Sequence, residues 1–195
     1  MYTQTEGDFW KEKLVLMQRQ NMRLSGGTLN LSDASKKITE LKIAFPKLET
    51  TDSSTENYIS CDFTVFSTLK VRLFIQNQTK ITFLGKTTSG WEKLCDAKFP
   101  NDPFPLLAHF FSHRAQYEEE LKNVLQNQRR FEKQQKITGE MIKALLKRSL
   151  DGKGLLWHLE PKESDFSLII EENHEKKEFT ISFKNFSNDI KKLPF

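Results

Sequence analysis

The chain has 195 residues, of which 37% are hydrophobic and 29% charged, with a formal net charge of +4. That size and balance predict one mid-sized folded domain or two small ones sharing a helix, soluble and with a packed core. Two cysteines, Cys61 and Cys95, are too few for a disulfide framework, and no apolar run reaches the roughly twenty residues of a membrane span.

Glu6, Asp8, Lys11, Glu12 and Lys13 stand where a secretory signal would need an apolar core. An intracellular protein, nuclear or cytoplasmic, is therefore expected. Asp8 is placed to cap a first helix over about 9–24, with Trp10, Leu14 and Met17 inward and Ser25-Gly26-Gly27 as its stop. Strands are predicted over 38–45, 58–66, 69–76 and 80–85. In the second, Ile59, Cys61, Phe63 and Val65 alternate with polar residues, and Leu69, Val71, Leu73 and Ile75 do the same in the third. Ser67-Thr68 and Asn77-Gln78-Thr79 are short enough for hairpin turns, so these strands form an antiparallel meander. The Thr-, Ser- and acid-rich stretch 50–56 reads as a polar loop. Ser89 with Glu92 reads as a capping box for a short helix over 91–95.

Phe99-Pro100-Asn101-Asp102-Pro103-Phe104-Pro105 forces an extended crossing. Then about fifty residues without proline predict a long helix, broken at Gly139. Tyr117, Leu121, Val124, Leu125 and Phe131 fall at helical spacings and form a candidate partner-binding seam of coiled-coil type, though Gln128 and Gln135 interrupt it. Packing of the same residues on the chain's own sheet is the alternative. Arg129, Arg130, Lys133, Lys136, Lys143, Lys147 and Arg148 make the end of this segment basic, a candidate nucleic-acid-binding face or simply a solvated one. Acids prevail from Glu160 to Glu178. Beyond the helix, 155–159, 166–170 and 179–183 read as three more strands, and the tail from Asn188 as a helical turn or disorder.

Chemistry-bearing patterns are sparse. Gly85-Lys86-Thr87-Thr88 would suggest a phosphate loop, but that motif needs a glycine where Lys80 stands. His109 and His113 have metal-sharing spacing, yet no third ligand lies near them and Phe110 occupies the position of a protease glutamate. No serine sits in a nucleophile elbow, and no cysteine pair makes a zinc knuckle. No catalytic, cofactor or metal site is expected.

The order of helix, meander, Phe99-Pro100 with Pro103 or Pro105, and long helix resembles the RWD domain, a degenerate relative of the ubiquitin-conjugating fold. The resemblance covers 1–136 and makes 137–195, a helix plus antiparallel strands, part of a second unit. Paired RWD subunits of the inner kinetochore, of the CENP-O and CENP-P type, have that organisation. The resemblance implies a non-catalytic member of a multisubunit assembly. The expectation as a whole is an α+β protein: N-terminal helix, antiparallel meander, long connecting helix and a second small antiparallel sheet. Its expected role is that of a structural or adaptor subunit in a hetero- or homo-oligomer. A nucleic-acid-binding module using the basic helix 129–153 is the alternative.

Overall fold

Capping chemistry places the helices that open the chain. In the computed structural model, which describes residues 3–27, 29–150, 153–172 and 174–194, helix α1 (Gln4–Met22) begins five residues before the position expected from Asp8. Thr3 is the cap, its hydroxyl accepting the Glu6 N–H at 3.2 Å. Phe9, Trp10, Leu14 and Met17 form its buried stripe, and Asn21 extends it. The Asn21 side chain is fully buried. It donates to the carbonyls of Asn101 and Asp102 and accepts the Asn101 N–H, which ties the proline-rich crossing to the helix end.

The strand expected over 38–45 is a helix instead, α2 (Leu31–Ala44). Asn30 caps it by accepting the Asp33 N–H at 2.8 Å. Ala34, Ile38 and Leu41, spaced by four and three, are the buried set, whereas Ile43 is 74% exposed. A strand would have put Leu41 and Ile43 on one face; the spacing that begins at Ala34 is helical.

The meander has five strands rather than four, in sequential antiparallel order: β1 (Glu49–Asp52), β2 (Ile59–Phe66), β3 (Leu69–Ile75), β4 (Thr79–Lys86) and β5 (Trp91–Phe99). β1 lies in the stretch read as a loop. It is a short, wholly exposed edge strand that backbone pairing, not burial, defines. β5 replaces the short helix expected over 91–95. The Ser89–Glu92 contact does form, with the Ser89 hydroxyl donating to the Glu92 carboxylate at 2.9 Å, but it closes a hairpin turn in which Gly90 has φ +137°. Only glycine takes that conformation without strain.

One sheet face supplies Cys61, Phe63, Val71, Leu73, Ile81 and Phe83 to the first core, and α1, α2, α3 (Phe104–Ser112) and, through Leu121, the helix that follows complete it. Trp10 is central there, with ring contacts to Phe9, Phe66, Phe83 and Phe110. Aromatic packing thus accounts for much of the phenylalanine content.

Helix α4 (Arg114–Leu150) follows a single non-helical residue, His113. It runs from the first compact unit, Met1–Leu125, into the second, Gln126–Phe195. In the second unit its residues Ile142, Leu146 and Leu150 pack with Leu159, Phe166, Leu168, Ile170 and Ile181 of a three-stranded antiparallel sheet. That sheet is β6 (Leu156–Pro161), β7 (Asp165–Glu172) and β8 (Glu175–Ser182), followed by α5 (Phe186–Lys191). The sequence Asp151-Gly152-Lys153-Gly154 reads as the stop of this helix; Asp151 and Gly152 lie outside the described residues, as does Asn173 between β7 and β8. The α+β architecture expected from the sequence is the one observed.

The expected break at Gly139 is absent: α4 is continuous through it. An added Cβ there would meet Cε1 of Phe166 at 3.2 Å, so this glycine permits close approach of helix to sheet. Two effects therefore oppose each other in Gly139→Ala: helix propensity favours alanine by about 1 kcal/mol, and overpacking costs about 1–3 kcal/mol. Because Phe166 is 2% exposed and its ring lies parallel to that of Phe183, overpacking should prevail. Urea unfolding is expected to show Gly139→Ala about 1 kcal/mol less stable than wild type. In a Phe166→Leu background the same change should be neutral or stabilising.

Candidate functional site

The sequence-predicted seam divides on inspection of its burial. Leu121 is 8% exposed and belongs to the first core, with Tyr117 and Leu125 half-buried against it. Tyr117 stacks on Phe110 at 5.2 Å and carries the Lys13 ammonium 5.0 Å from its ring centroid. Glu120 anchors the same lysine through an ion pair. Val124 and Phe131 are each 38% exposed, and the Phe131 ring contacts Phe183 at 5.7 Å. Three of the five residues therefore pack inside their own unit, following the four-residue spacing 117, 121, 125.

The basic residues are arranged otherwise. Arg129, Arg130, Lys133, Lys136, Lys143, Lys147 and Arg148 are all exposed. At about 100° per residue, Arg129, Lys133, Lys136, Lys143 and Lys147 fall within an arc of about 80° on α4. Of the seven, Lys143 alone is ion-paired among the described residues, with Glu140 at 3.0 Å.

Beside that arc runs a second line: Arg130, Gln134, Ile137, Met141, Ala144 and Arg148, separated alternately by four and three residues. Every member is exposed, Ile137 at 47% and Met141 at 51%. Any stripe on a helix has this spacing; what marks this one is the pair of large exposed apolar side chains Ile137 and Met141, four residues apart on one face. The buried side of this segment is elsewhere, at Thr138, Gly139, Ile142 and Leu146. A break at Gly139 would separate Ile137 from Met141; continuity of the helix is what places them on one face.

Along the other flank of α4, a groove of about 340 Å³ separates the helix from the sheet of its own unit. Leu159, Pro161 and Phe166 line its apolar side, and Lys136, Glu140 and Lys143 its charged side. Near one end the Gln135 amide donates to the Lys162 carbonyl at 2.7 Å.

The remaining chemistry-bearing residues are held structurally. Burial pushes the Cys61 thiol up to about 12, helped by its contact with Asp52, and burial chiefly pushes Cys95 up to about 11. Neither supplies a thiolate near neutral pH. Cys95 stands on β5, not on a helix. His109 and His113 lie ring against ring at 4.0 Å, with Nδ1 of His113 turned to the His109 carbonyl. Among the described residues no group of three or more His, Cys, Asp or Glu side chains could hold a metal ion. No described helix is long and apolar enough to cross a membrane. Comparison with known protein families, with curated proteins and with solved structures found no match to this chain.

Two outcomes are expected. Leu121→Asp should lower stability in denaturant unfolding by about 3 kcal/mol or more, since it buries a charge, while Val124→Asp should stay within about 0.5 kcal/mol of wild type. In a thiol-titration assay at pH 8 the native protein should react far more slowly than the urea-unfolded chain.

Proposed function

We propose that this chain is a non-catalytic adaptor subunit that binds a helical protein partner through the exposed line Arg130, Gln134, Ile137, Met141, Ala144 and Arg148 of α4. The carrying observation is that Ile137 and Met141 stand exposed side by side on this line, at a stretch where the helix's other side is already in a core. Its chemistry describes the partner. Ile137 and Met141 suit an apolar ridge, and the adjacent arc of Arg129, Lys133, Lys136, Lys143 and Lys147 suits acidic residues flanking that ridge.

Self-pairing in parallel would set these cations against each other, which favours a different, acidic chain over a second copy. An adaptor role also agrees with the RWD resemblance, which implies partner-binding subunits. The exposed, largely unpaired cations support a second reading, nucleic-acid binding through Arg129, Arg130, Lys133, Lys136, Lys143, Lys147 and Arg148.

The two readings separate by salt and by variant. A synthetic amphipathic helix with a leucine ridge and glutamate flanks should bind the full chain and lose at least tenfold in affinity with Ile137→Asp/Met141→Asp, a double variant expected to fold because both residues are exposed. Binding to a labelled DNA duplex should be weak and disappear at physiological ionic strength. Nanomolar duplex binding at that salt, falling with a logarithmic slope of roughly −0.9 per phosphate contact, would favour the nucleic-acid reading. Light scattering should give a monomer.

A further inference from the structure

The first unit carries a second charged surface, far along the chain from the basic part of α4. One face of its five-stranded sheet packs on the helices, and the other presents a ladder of polar side chains. Most of that ladder is internally neutralised. Arg72 donates to Asp62 through two hydrogen bonds, of 2.7 and 2.9 Å, and Lys80 and Lys93 share Asp96. The Lys80 hydrogen bond accordingly holds the Asp96 carboxyl below its ordinary range.

One corner is different. Lys47, in the turn after α2, Lys70 on β3 and Lys86 on β4 line a concavity of about 510 Å³ whose wall includes Trp91. Lys86 is the cross-strand partner of Trp91. The Lys70 ammonium sits 4.7 Å and the Lys86 ammonium 5.8 Å from the indole centroid. None of the three lysines has a carboxylate within ion-pair distance among the described residues, although Glu49 lines the same concavity. An indole face steadies an ammonium without cancelling its charge, so the corner holds preorganised, unneutralised positive charge. Thr64 and Ser67 add hydroxyl donors to the lining.

We propose that this corner binds a phosphorylated side chain in an extended segment of a partner protein. Three ammonium groups and two hydroxyls match a dianion with three acceptor oxygens better than the single charge of a carboxylate. Trp91 provides an apolar wall for the peptide beside the phosphate. Lys98, the cross-strand partner of Lys80, is also unpaired on this face among the described residues, but the three lysines gather only at the Trp91 corner, and a polynucleotide laid across the sheet would meet Arg72 and Lys80 already paired to aspartates. The site shares no residue with the helix line above, so either assignment can fail without the other.

The test uses the full chain labelled with ¹⁵N and a peptide of glycine and alanine carrying one phosphoserine. Its unphosphorylated form, inorganic phosphate and a short oligothymidylate serve as comparisons, all at physiological ionic strength. The phosphopeptide should shift the Trp91 indole N–H resonance saturably, and inorganic phosphate should move the same signal more weakly. Lys70→Gln/Lys86→Gln should weaken phosphopeptide binding at least about tenfold, whereas Lys143→Gln/Lys147→Gln should leave it unchanged. Lys47→Gln, at an exposed turn, supplies the same comparison with less risk to the fold and should also weaken binding. An unmoved Trp91 signal, equal binding of the unphosphorylated peptide, or tighter binding of oligothymidylate at this corner would each overturn the proposal.

Discussion

The close approach of the α4 backbone to the ring of Phe166 at Gly139 governs how the second unit is built. With no Cβ at that point, the helix lies near enough to β7 for Ile142, Leu146 and Leu150 to enter one core with Leu168, Ile170 and Ile181. That contact fixes which side of the helix is inward. A helix buries one stripe, so choosing it also chooses the residues left in water. Here the remainder includes Ile137 and Met141 between two arginines, with a row of lysines alongside. The exposed face is thus a consequence of the packed one.

The first unit solves a different problem. Its sheet is covered on one face by α1, α2, α3 and the start of α4 around an aromatic cluster that includes Trp10, Phe83 and Phe110. The opposite face faces water and is closed off chiefly by cross-strand ion pairs, each worth little in stability at such exposure. Their value is in what they neutralise. By pairing Arg72 and Lys80 with aspartates they leave the Trp91 corner as the place on that face where unpaired lysines gather. The chain accordingly offers two surfaces of unlike chemistry: an apolar-and-basic helix line suited to a long partner, and a compact cationic corner suited to a single anionic group.

Those parts of the fold with a clean period were legible in the sequence. The alternation of Ile59, Cys61, Phe63 and Val65, and of Leu69, Val71, Leu73 and Ile75, located β2 and β3 because one wet and one dry face leave that imprint. Where burial leaves no imprint the reading failed. β1 is exposed throughout and is held by backbone hydrogen bonds to β2, so its composition looks like a loop. β5 has a mixed burial pattern, and a serine–glutamate contact that serves a hairpin as well as a helix cap. α2 was misread because the window began at Ile38, after the Asn30 cap and Ala34 that establish its phase. Among site residues, spacing identified Tyr117, Leu121 and Leu125 as one face without saying what that face meets, and burial supplies the answer. The Trp91 corner joins positions 47, 64, 70, 86 and 91, which only strand register brings together.

The account rests on α4 being one uninterrupted helix through Gly139, since a break there would dissolve both the packed stripe and the exposed line. Amide hydrogen exchange resolved by residue across 134–146 tests this most directly. Continuous helix packed on Phe166 predicts slow exchange at Thr138, Gly139 and Ile142, with protection from all three lost together in the unfolding of the second unit. Rapid exchange at Gly139 and its neighbours, with protection retained on either side, would contradict the account.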